Sequence, residues 1–314
     1  MPSETKPKVS IGLPVYNGSK FLAEAFQSAL SQTYDNFELI VSDNASTDAT
    51  ADICKSFASK DGRITYHRHD RNMGAGPNHN WVARRASGKY FKWASDDDLM
   101  EPQYLEKCVA ALERAPDAVL CQSVTRIVSE SGESIATHLA HLDSARASDR
   151  FAAIILKPHW CVEVLGVIRT SALARTNLEA DYFGGDKTLL AELALLGPFL
   201  QVPEPLFINR DHPGRSMRAV PFHKRHEFHT SNKKARVVHW ALYTDYWRAV
   251  GRHVAAGEER LRCYAHLLRW WFTNMHALRV SLDLVCVTMP GVAAPMFRLR
   301  QLYHSRGIGS SRTD

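Results

Sequence analysis

An α/β fold, with a mostly parallel central sheet flanked by helices and a helical extension at the C-terminus, is what this sequence predicts. Three observations carry that prediction. Through the first two thirds of the chain, short apolar runs that read as strands alternate with segments whose apolar residues recur at helical spacing. Polar clusters close the early strands at their C-terminal ends, where open parallel sheets bind ligands. The C-terminal third then changes character, combining amphipathic helical patterns with a strong excess of positive charge.

Composition bounds the function. With 314 residues and 45% apolar content, the chain can bury a full core as one large domain or two smaller ones. Its six cysteines (54, 108, 121, 161, 263 and 286) include no CxxC pair, which argues against a zinc site or a disulfide framework and suits a reducing cytoplasm. The opening MPSETKPKVS lacks the apolar core of a signal peptide, and no uninterrupted apolar run reaches the ~20 residues of a membrane span. The expectation is a cytoplasmic protein, soluble or peripheral on the inner face of the cell membrane. The formal charge of +6 hides an asymmetry: residues 1–210 carry 22 Lys and Arg against 26 Asp and Glu, residues 211–314 carry 17 against 7. A net of −4 thus meets a net of +10, and the two parts face different partners.

Taken in order, Val9–Leu13 is a strand that breaks at Pro14-Val15-Tyr16-Asn17-Gly18 before a helix with Phe21, Leu22, Ala25, Phe26, Ala29 and Leu30 on one side. Phe37–Val41 is a second strand. It ends in Ser42-Asp43-Asn44-Ala45-Ser46-Thr47-Asp48, where Ser46 or Thr47 is expected to cap a helix over about residues 48–59. Arg63–His67 is the third strand, and Arg71-Asn72-Met73-Gly74 leads into a helix from about Asn78 to Ala86. Tyr90–Ala94 is the fourth. It runs into three adjacent carboxylates, Asp96, Asp97 and Asp98, ahead of a helix start at Pro102. Such a cluster is tolerable if well solvated, as in an ordinary turn, or if a divalent cation neutralises it.

A strand and hairpin follow over 116–135, then a helix from about Ala147 to Leu156 and a strand over Trp160–Ile168. His159, Trp160 and Glu163 receive no firm role. Tyr182-Phe183-Gly184-Gly185-Asp186 precedes a helix carrying Leu189, Leu190, Leu193 and Leu196 and stopped by Gly197-Pro198, so Asp186 reads first as a cap or first-turn acid. Phe199–Val202 and Leu206–Asn209 are two final strands, ending in Arg210-Asp211-His212. Residues 214–232 read as a mobile loop. Two apolar stripes follow at helical spacing: Val237, Trp240, Tyr243, Trp247 and Val250, then Leu261, Tyr264, Leu268, Trp271 and Met275. Packing surface is the commoner use of such stripes. The arginines at 248, 252, 260, 262 and 269 also suit a helix lying on an anionic membrane. The apolar segment Leu284–Phe297, broken by Pro290 and Pro295, fits a dip into the membrane interface better than a span.

Asn17, Asp43, Arg71 and Asp96–Asp98 each follow a strand, so segments far apart in sequence would line one crevice. At these residues the sequence resembles the family 2 glycosyltransferases of the GT-A fold. Pro14-Val15-Tyr16-Asn17 looks like that family's P-x-Y-N, Asp43-Asn44-Ala45-Ser46-Thr47-Asp48 its D-x-S-x-D, Arg71-Asn72-Met73-Gly74 its R-N-x-G, and Ser95-Asp96-Asp97 its D-x-D-type metal motif. The match runs in order over residues 9 to 212, which places a GT-A catalytic domain at 1–212 and a basic loop with helical extension at 213–314. One departure is that Ala94 stands where many members have a further aspartate.

The resemblance implies an inverting, metal-dependent enzyme. It would move a sugar from a nucleoside diphosphate sugar, UDP-sugar favoured, to a carbohydrate or lipid-linked hydroxyl acceptor in surface polysaccharide or glycolipid assembly. Pro14, Tyr16, Asn17, Asp43, Arg71, Asn72, Gly74 and Asp96 would bind the donor. Asp97, Asp96 and His212 would hold Mg2+ or Mn2+, with Asp98 facing outward, and Asp186 would be the general base. Two alternatives stand beside it. A nucleotidyltransferase shares the sheet and the acidic ligands, but Leu13-Pro14-Val15-Tyr16-Asn17 is not the Gly-rich basic loop it usually carries. A non-catalytic adaptor would use the basic C-terminus on nucleic acid or membrane, and the intact carboxylates speak against it, making nucleic acid a disfavoured partner. The C-terminal helices could also form a homo-oligomer.

Overall fold

Strand β1 (Val9–Val15) lies in the middle of a parallel unit, between β2 (Phe37–Asp43) and β4 (Tyr90–Trp93), with β3 (Ile64–Arg68) outside β2. All of β1 is buried, as a strand covered on both faces must be. The crossovers are helices α1 (Leu22–Leu30), α2 (Thr50–Ala58) and α3 (Ala75–Ala83). This is a computed structural model, which describes residues 9–139, 142–157, 161–215, 228–230 and 237–288. His159, Trp160, most of the expected 214–232 loop and the part of the apolar segment beyond 288 lie outside the described residues.

Past β4 the sheet changes direction. Strand β8 (Val167–Arg169) runs antiparallel between β4 and β6 (Leu120–Ser129), and β9 (Phe199–Asp211) runs parallel to β6. The two-residue β5 (Leu99–Met100) pairs antiparallel with β9, and β7 (Ser134–His138) forms a hairpin on β6. The order is β3-β2-β1-β4-β8-β6-β9-β5, with β7 branching from β6. The long ladders are the parallel ones, so the expected mostly parallel α/β sheet stands. Helices α4 (Tyr104–Arg114), α5 (Ala147–Leu156), the single turn α6 (Thr170–Leu173) and α7 (Gly185–Leu196) complete this part.

Several boundaries differ from the sequence reading, each for a local reason. β1 continues through Pro14 because β4 pairs only as far as Gly12, so the missing proline N–H falls where no partner is needed. Helix α3 starts at Ala75 rather than Asn78, since Pro77 lies in its first turn, where backbone N–H groups have no helical partner anyway. Neither Ser46 nor Thr47 caps α2; the Asp48 carboxylate accepts from the Thr50 N–H at 3.0 Å instead. The apolar run expected as a strand over 160–168 splits into a 3-10 turn (Val162–Leu165) and the short β8, because apolar content alone does not separate the two. The two final strands are one, β9. Pro203-Glu204-Pro205 sits in a bulge opposite Val124, where the ladder jumps from Ser123–Val202 to Thr125–Phe207 and asks for no N–H.

Helices α8 (Val238–His253), α9 (Glu258–Trp270) and α10 (His276–Thr288) form the extension. Their buried faces share only Val250 with the two expected stripes. Ala241, Leu242, Tyr246, Ala249 and Val250 of α8, with Cys263, Leu267 and Trp270 of α9, join the core that holds Phe151 and Ile154 of α5 and Leu189, Leu190 and Leu193 of α7. Small residues at 241 and 249 let α8 approach α7 closely, which turns Trp240 and Trp247 outward to 49% and 45% exposure. Those rings stack on neighbours instead: Trp240 on Tyr243 at 5.8 Å and Trp247 on Tyr264 at 4.3 Å. The arginines that suggested a membrane face are largely engaged within the protein. Arg248 pairs with Asp245, Arg252 with Glu192 and Arg262 with Glu258, and Arg260 donates to the Val254 carbonyl. Among the described residues, no helix is long and apolar enough to cross a membrane.

Candidate active site

The loops after β1, β2 and β3 are sewn into one surface, and the stitch is a residue the sequence reading did not single out. Asn44, buried directly after β2, donates from Nδ2 to Asn72 Oδ1 and to the Gly74 carbonyl, both at 3.0 Å, and accepts at Oδ1 from the Met73 N–H at 2.8 Å. Its backbone N–H donates to Val15 O at 2.9 Å, which carries the connection to β1. Asn72 Oδ1 also accepts from the Gly74 N–H at 2.8 Å. Gly74 needs to be glycine: its φ is +91°, and a β-carbon there would lie 2.8 Å from the His229 carbonyl.

Asn17 makes the matching tie from the other side. It adopts φ +54°, accepts at Oδ1 from the Thr47 N–H at 2.8 Å and donates its own N–H to Ser46 Oγ at 2.9 Å. Pro14 is buried beside Ser42, while Tyr16 and Arg71 are exposed. Asp43 is fully buried. Its Oδ1 accepts from the Ser46 N–H at 2.8 Å, and its Oδ2 from Tyr66 Oη at 2.9 Å and Arg68 Nη1 at 3.3 Å. Tyr66 and Arg68, on β3, are further residues the sequence reading passed over.

The acidic turn after β4 holds three carboxylates in three different settings. Asp96 is pressed against Gly18: a β-carbon on Gly18 would lie 1.9 Å from Asp96 Oδ2, so only glycine admits this approach. Asp97 accepts from Ser95 Oγ, and its Oδ2 lies 3.0 Å from His212 Nε2. Asp98, expected outward, points inward and is 5% exposed. Its oxygens accept from Asn209 Nδ2 at 3.1 and 3.0 Å and from the Arg210 N–H at 2.9 Å. The cause is β5: Leu99 pairs with Ile208, so the residue before it must turn toward the end of β9. Burial, and then the neighbouring Asp97, pushes the Asp96 and Asp98 carboxyls well above the usual carboxylate range, with Arg215 working against the rise at Asp98. Arg215 donates to Asn209 Oδ1 at 2.6 Å. His212 is fixed edge-on to Phe21 at 4.8 Å, and the same ring carries the Arg210 guanidinium at 4.3 Å.

Asp186 occupies the first turn of α7, half-buried. The cap position belongs to Gly184 at φ +89°, and no side chain caps the helix; Asp186 Oδ1 accepts from the adjacent Lys187 N–H at 2.9 Å, and the Cys161 thiol also bonds to the Asp186 carboxylate. Gly185 is pressed on its own turn, where a β-carbon would lie 2.2 Å from the Ala180 carbonyl. The extension reaches this segment, as Tyr182 Oη donates to Asp245 Oδ2 at 2.8 Å.

Among the described residues, no group of three or more His, Cys, Asp and Glu is arranged to hold a metal ion. Asp98 is turned to β9 and Asp96 to Gly18, which leaves Asp97 and His212 as a two-ligand set. That set fits a divalent ion whose remaining positions are taken by water and phosphate oxygens, the usual habit of Mg2+, and the uncompensated carboxylates around it favour a cation.

The sheet is shared with solved glycosyltransferases. S. aureus TarS, in a complex with UDP-GlcNAc, overlays with a TM-score of 0.61 at 17% identity over 84% of this chain and 72% of that one. A mannosyltransferase from Pyrobaculum calidifontis, in complex with GDP-Man and Mn2+, gives 0.52 at 17% identity over 91% and 88%. The fold is therefore that of a GT-A-type transferase. Residues 10–177, more than half of the chain, match the glycosyl transferase family 2 model, and the chain belongs to that family. A Bacillus subtilis protein named as the glycosyltransferase EpsE is 41% identical over 111 residues, which is 34% of this chain and 39% of that protein. Such matches span less than half the length of the curated relatives. The nucleotidyltransferase alternative gives way to this membership.

Proposed function

We propose that the chain is an inverting, divalent-metal-dependent glycosyltransferase that takes a sugar from a nucleoside diphosphate, UDP favoured, and moves it to a hydroxyl acceptor. The observation that carries this is the pairing of Asp97 with His212 at 3.0 Å, supported by Asp186 in the first turn of α7. The UDP-GlcNAc complex of TarS supports a uridine donor, and the Mn2+ of the archaeal mannosyltransferase supports a metal.

In this reading Asp43 accepts the imide N–H of the base at Oδ2 once the exposed Arg68, now 3.3 Å away, swings aside. Asn17 and the Asn72–Gly74 turn shape the nucleoside pocket, and Asp96 meets the ribose. Asp97 and His212 would hold Mg2+ or Mn2+, which supplies positive charge to the diphosphate when bound. The acceptor hydroxyl oxygen forms its bond to the anomeric carbon as the bond from that carbon to the phosphate oxygen breaks. The electron pair leaves with the diphosphate, and the acceptor proton passes to Asp186. Asp186 would take it from the first turn of α7. A panel of nucleotide sugars screened by thermal shift and by release of nucleoside diphosphate, with and without Mn2+, tests the reading. A UDP-sugar that stabilises the protein and is turned over only with metal is expected; indifference to every nucleotide sugar would overturn it.

A further inference from the structure

One side chain on which both Asp96 and Asp186 act belongs to none of the motifs named above. His79 lies in the middle of α3, and three contacts fix it. Its carbonyl accepts from Trp93 Nε1 at 3.1 Å, tying it to the last residue of β4 just before the acidic turn. Its Nδ1 lies 3.0 Å from Glu179 Oε1. Glu179 is itself clamped by the next residue of the helix: Asn80 Oδ1 accepts from the Glu179 N–H at 3.0 Å, and Asn80 Nδ2 donates to the Glu179 carbonyl at 2.8 Å. Gly76, one turn earlier, lets Ala180 and Asp181 lie against the helix, so the segment leading to Asp186 is moulded on α3.

This is a built arrangement. A buried carboxylate accepts the Nδ1 hydrogen and fixes the ring; the neutral ring then has a bare Nε2, and Nε2 carries a donor hydrogen in the imidazolium, the form that the Glu179 carboxylate stabilises. Nε2 has no partner among the described residues, and the side chain keeps 35% exposure. Burial alone would depress the ring's proton affinity, but Glu179 by charge and hydrogen bond, and then Asp186 and Asp96, raise it above the ordinary histidine value. The charges of Asp96 and Asp186 thus both act on this ring. A purely structural tether would not need an open second nitrogen.

We propose that His79, oriented by Glu179, donates a hydrogen bond from Nε2 to the diphosphate of the donor as it departs. The inference rests on the nucleoside diphosphate reading above and adds a protein-borne positive group to it. No proton is transferred in the step: the electron pair of the broken bond stays on the phosphate oxygen, and the acceptor proton still goes to Asp186.

The test is calorimetry of UDP, GDP and the matching nucleosides, with Mn2+, on the full chain and on His79→Gln, Glu179→Gln and His79→Arg, alongside kcat and KM for the nucleotide sugar the wild type uses. His79→Gln should weaken the diphosphate ~10- to 100-fold while leaving the nucleoside unchanged, as loss of one charge-assisted bond to phosphate requires. It should lower kcat more than it raises KM, Glu179→Gln should fall between it and wild type, and His79→Arg should recover diphosphate affinity. Equal diphosphate affinity in a folded His79→Gln variant would reduce His79 to a tether and overturn the proposal. So would equal loss of nucleoside and diphosphate, which marks a collapsed pocket. A wild type that binds neither UDP nor GDP overturns the donor reading first, and this inference with it.

Discussion

Lys92 is wholly buried on β4, and replacing it with methionine should change how stability depends on pH more than stability itself. Its Nζ donates to the carbonyls of Trp93 at 3.1 Å and Leu165 at 2.5 Å and lies 4.9 and 4.7 Å from the ring centres of Tyr104 and Phe207. Burial drives its pKa down to about 7, with Cys108 and Asp98 pulling the other way. In the unfolded chain a lysine keeps its proton to about pH 10. Between those two values the unfolded state therefore holds more protons than the folded one, and stability rises with pH. At about 1.4 kcal/mol per unit, the gain across pH 7 to 10 is of order 4 kcal/mol. Lys92→Met lacks this slope. At pH 7 the variant loses two hydrogen bonds to buried carbonyls but also a charge in an apolar site, so the absolute difference is small and its sign is not the test. The assay is urea denaturation of both proteins at half-unit steps of pH, reported as wild type minus variant. Parallel curves would refute the reasoning, because they would mean that Lys92 keeps its ordinary proton affinity inside the fold.

The remaining expectations concern the crevice. Asp186→Asn should keep donor affinity and melting temperature while slowing sugar transfer by ~10²–10⁴-fold, and near-normal turnover at saturating donor would return Asp186 to a structural role. Gly18→Ala sets a methyl group against Asp96 and should weaken UDP binding in calorimetry with little loss of melting temperature; unchanged affinity would show that Asp96 moves aside freely. Asn44→Ala removes three side-chain bonds among the loops and should destabilise the protein by about 2–4 kcal/mol in chemical denaturation, each stranded partner counting for ~1 kcal/mol. A loss under about 0.5 kcal/mol would mean that the loops hold together without it.

The alternation of strand and helix and the polar residues at strand ends were legible because both are local patterns, which is why the parallel unit followed from the chain alone; in it the loops after β1, β2 and β3 meet. What was not legible depended on distant partners. Asp98 turns inward because Leu99 pairs with Ile208, more than a hundred residues away, and nothing near Asp98 in sequence records that strand. The same limit applied to α8 and α9, where two helical faces were available in each and the aromatic one looked the better core. The choice was made by the surface of α5 and α7, which takes in Ala241 and Ala249 from α8 and Leu267 and the Trp270 ring from α9. Asn44 was visible as a residue but not as a hub, since an asparagine beside a motif aspartate carries no mark of what it will bind. Its three partners come from a turn 28 to 30 residues further on. This explains why the motif residues fall into two kinds. Asn17, Asn72 and Gly74 have their polar or conformational capacity taken up in holding loops to one another, whereas Asp97 and His212 bond to each other, and Asp186 to its own helix turn and to Cys161, rather than across those loops. Mutating the first kind should be read first as stability and the second first as chemistry, a separation that sequence motifs, which treat both alike, do not provide.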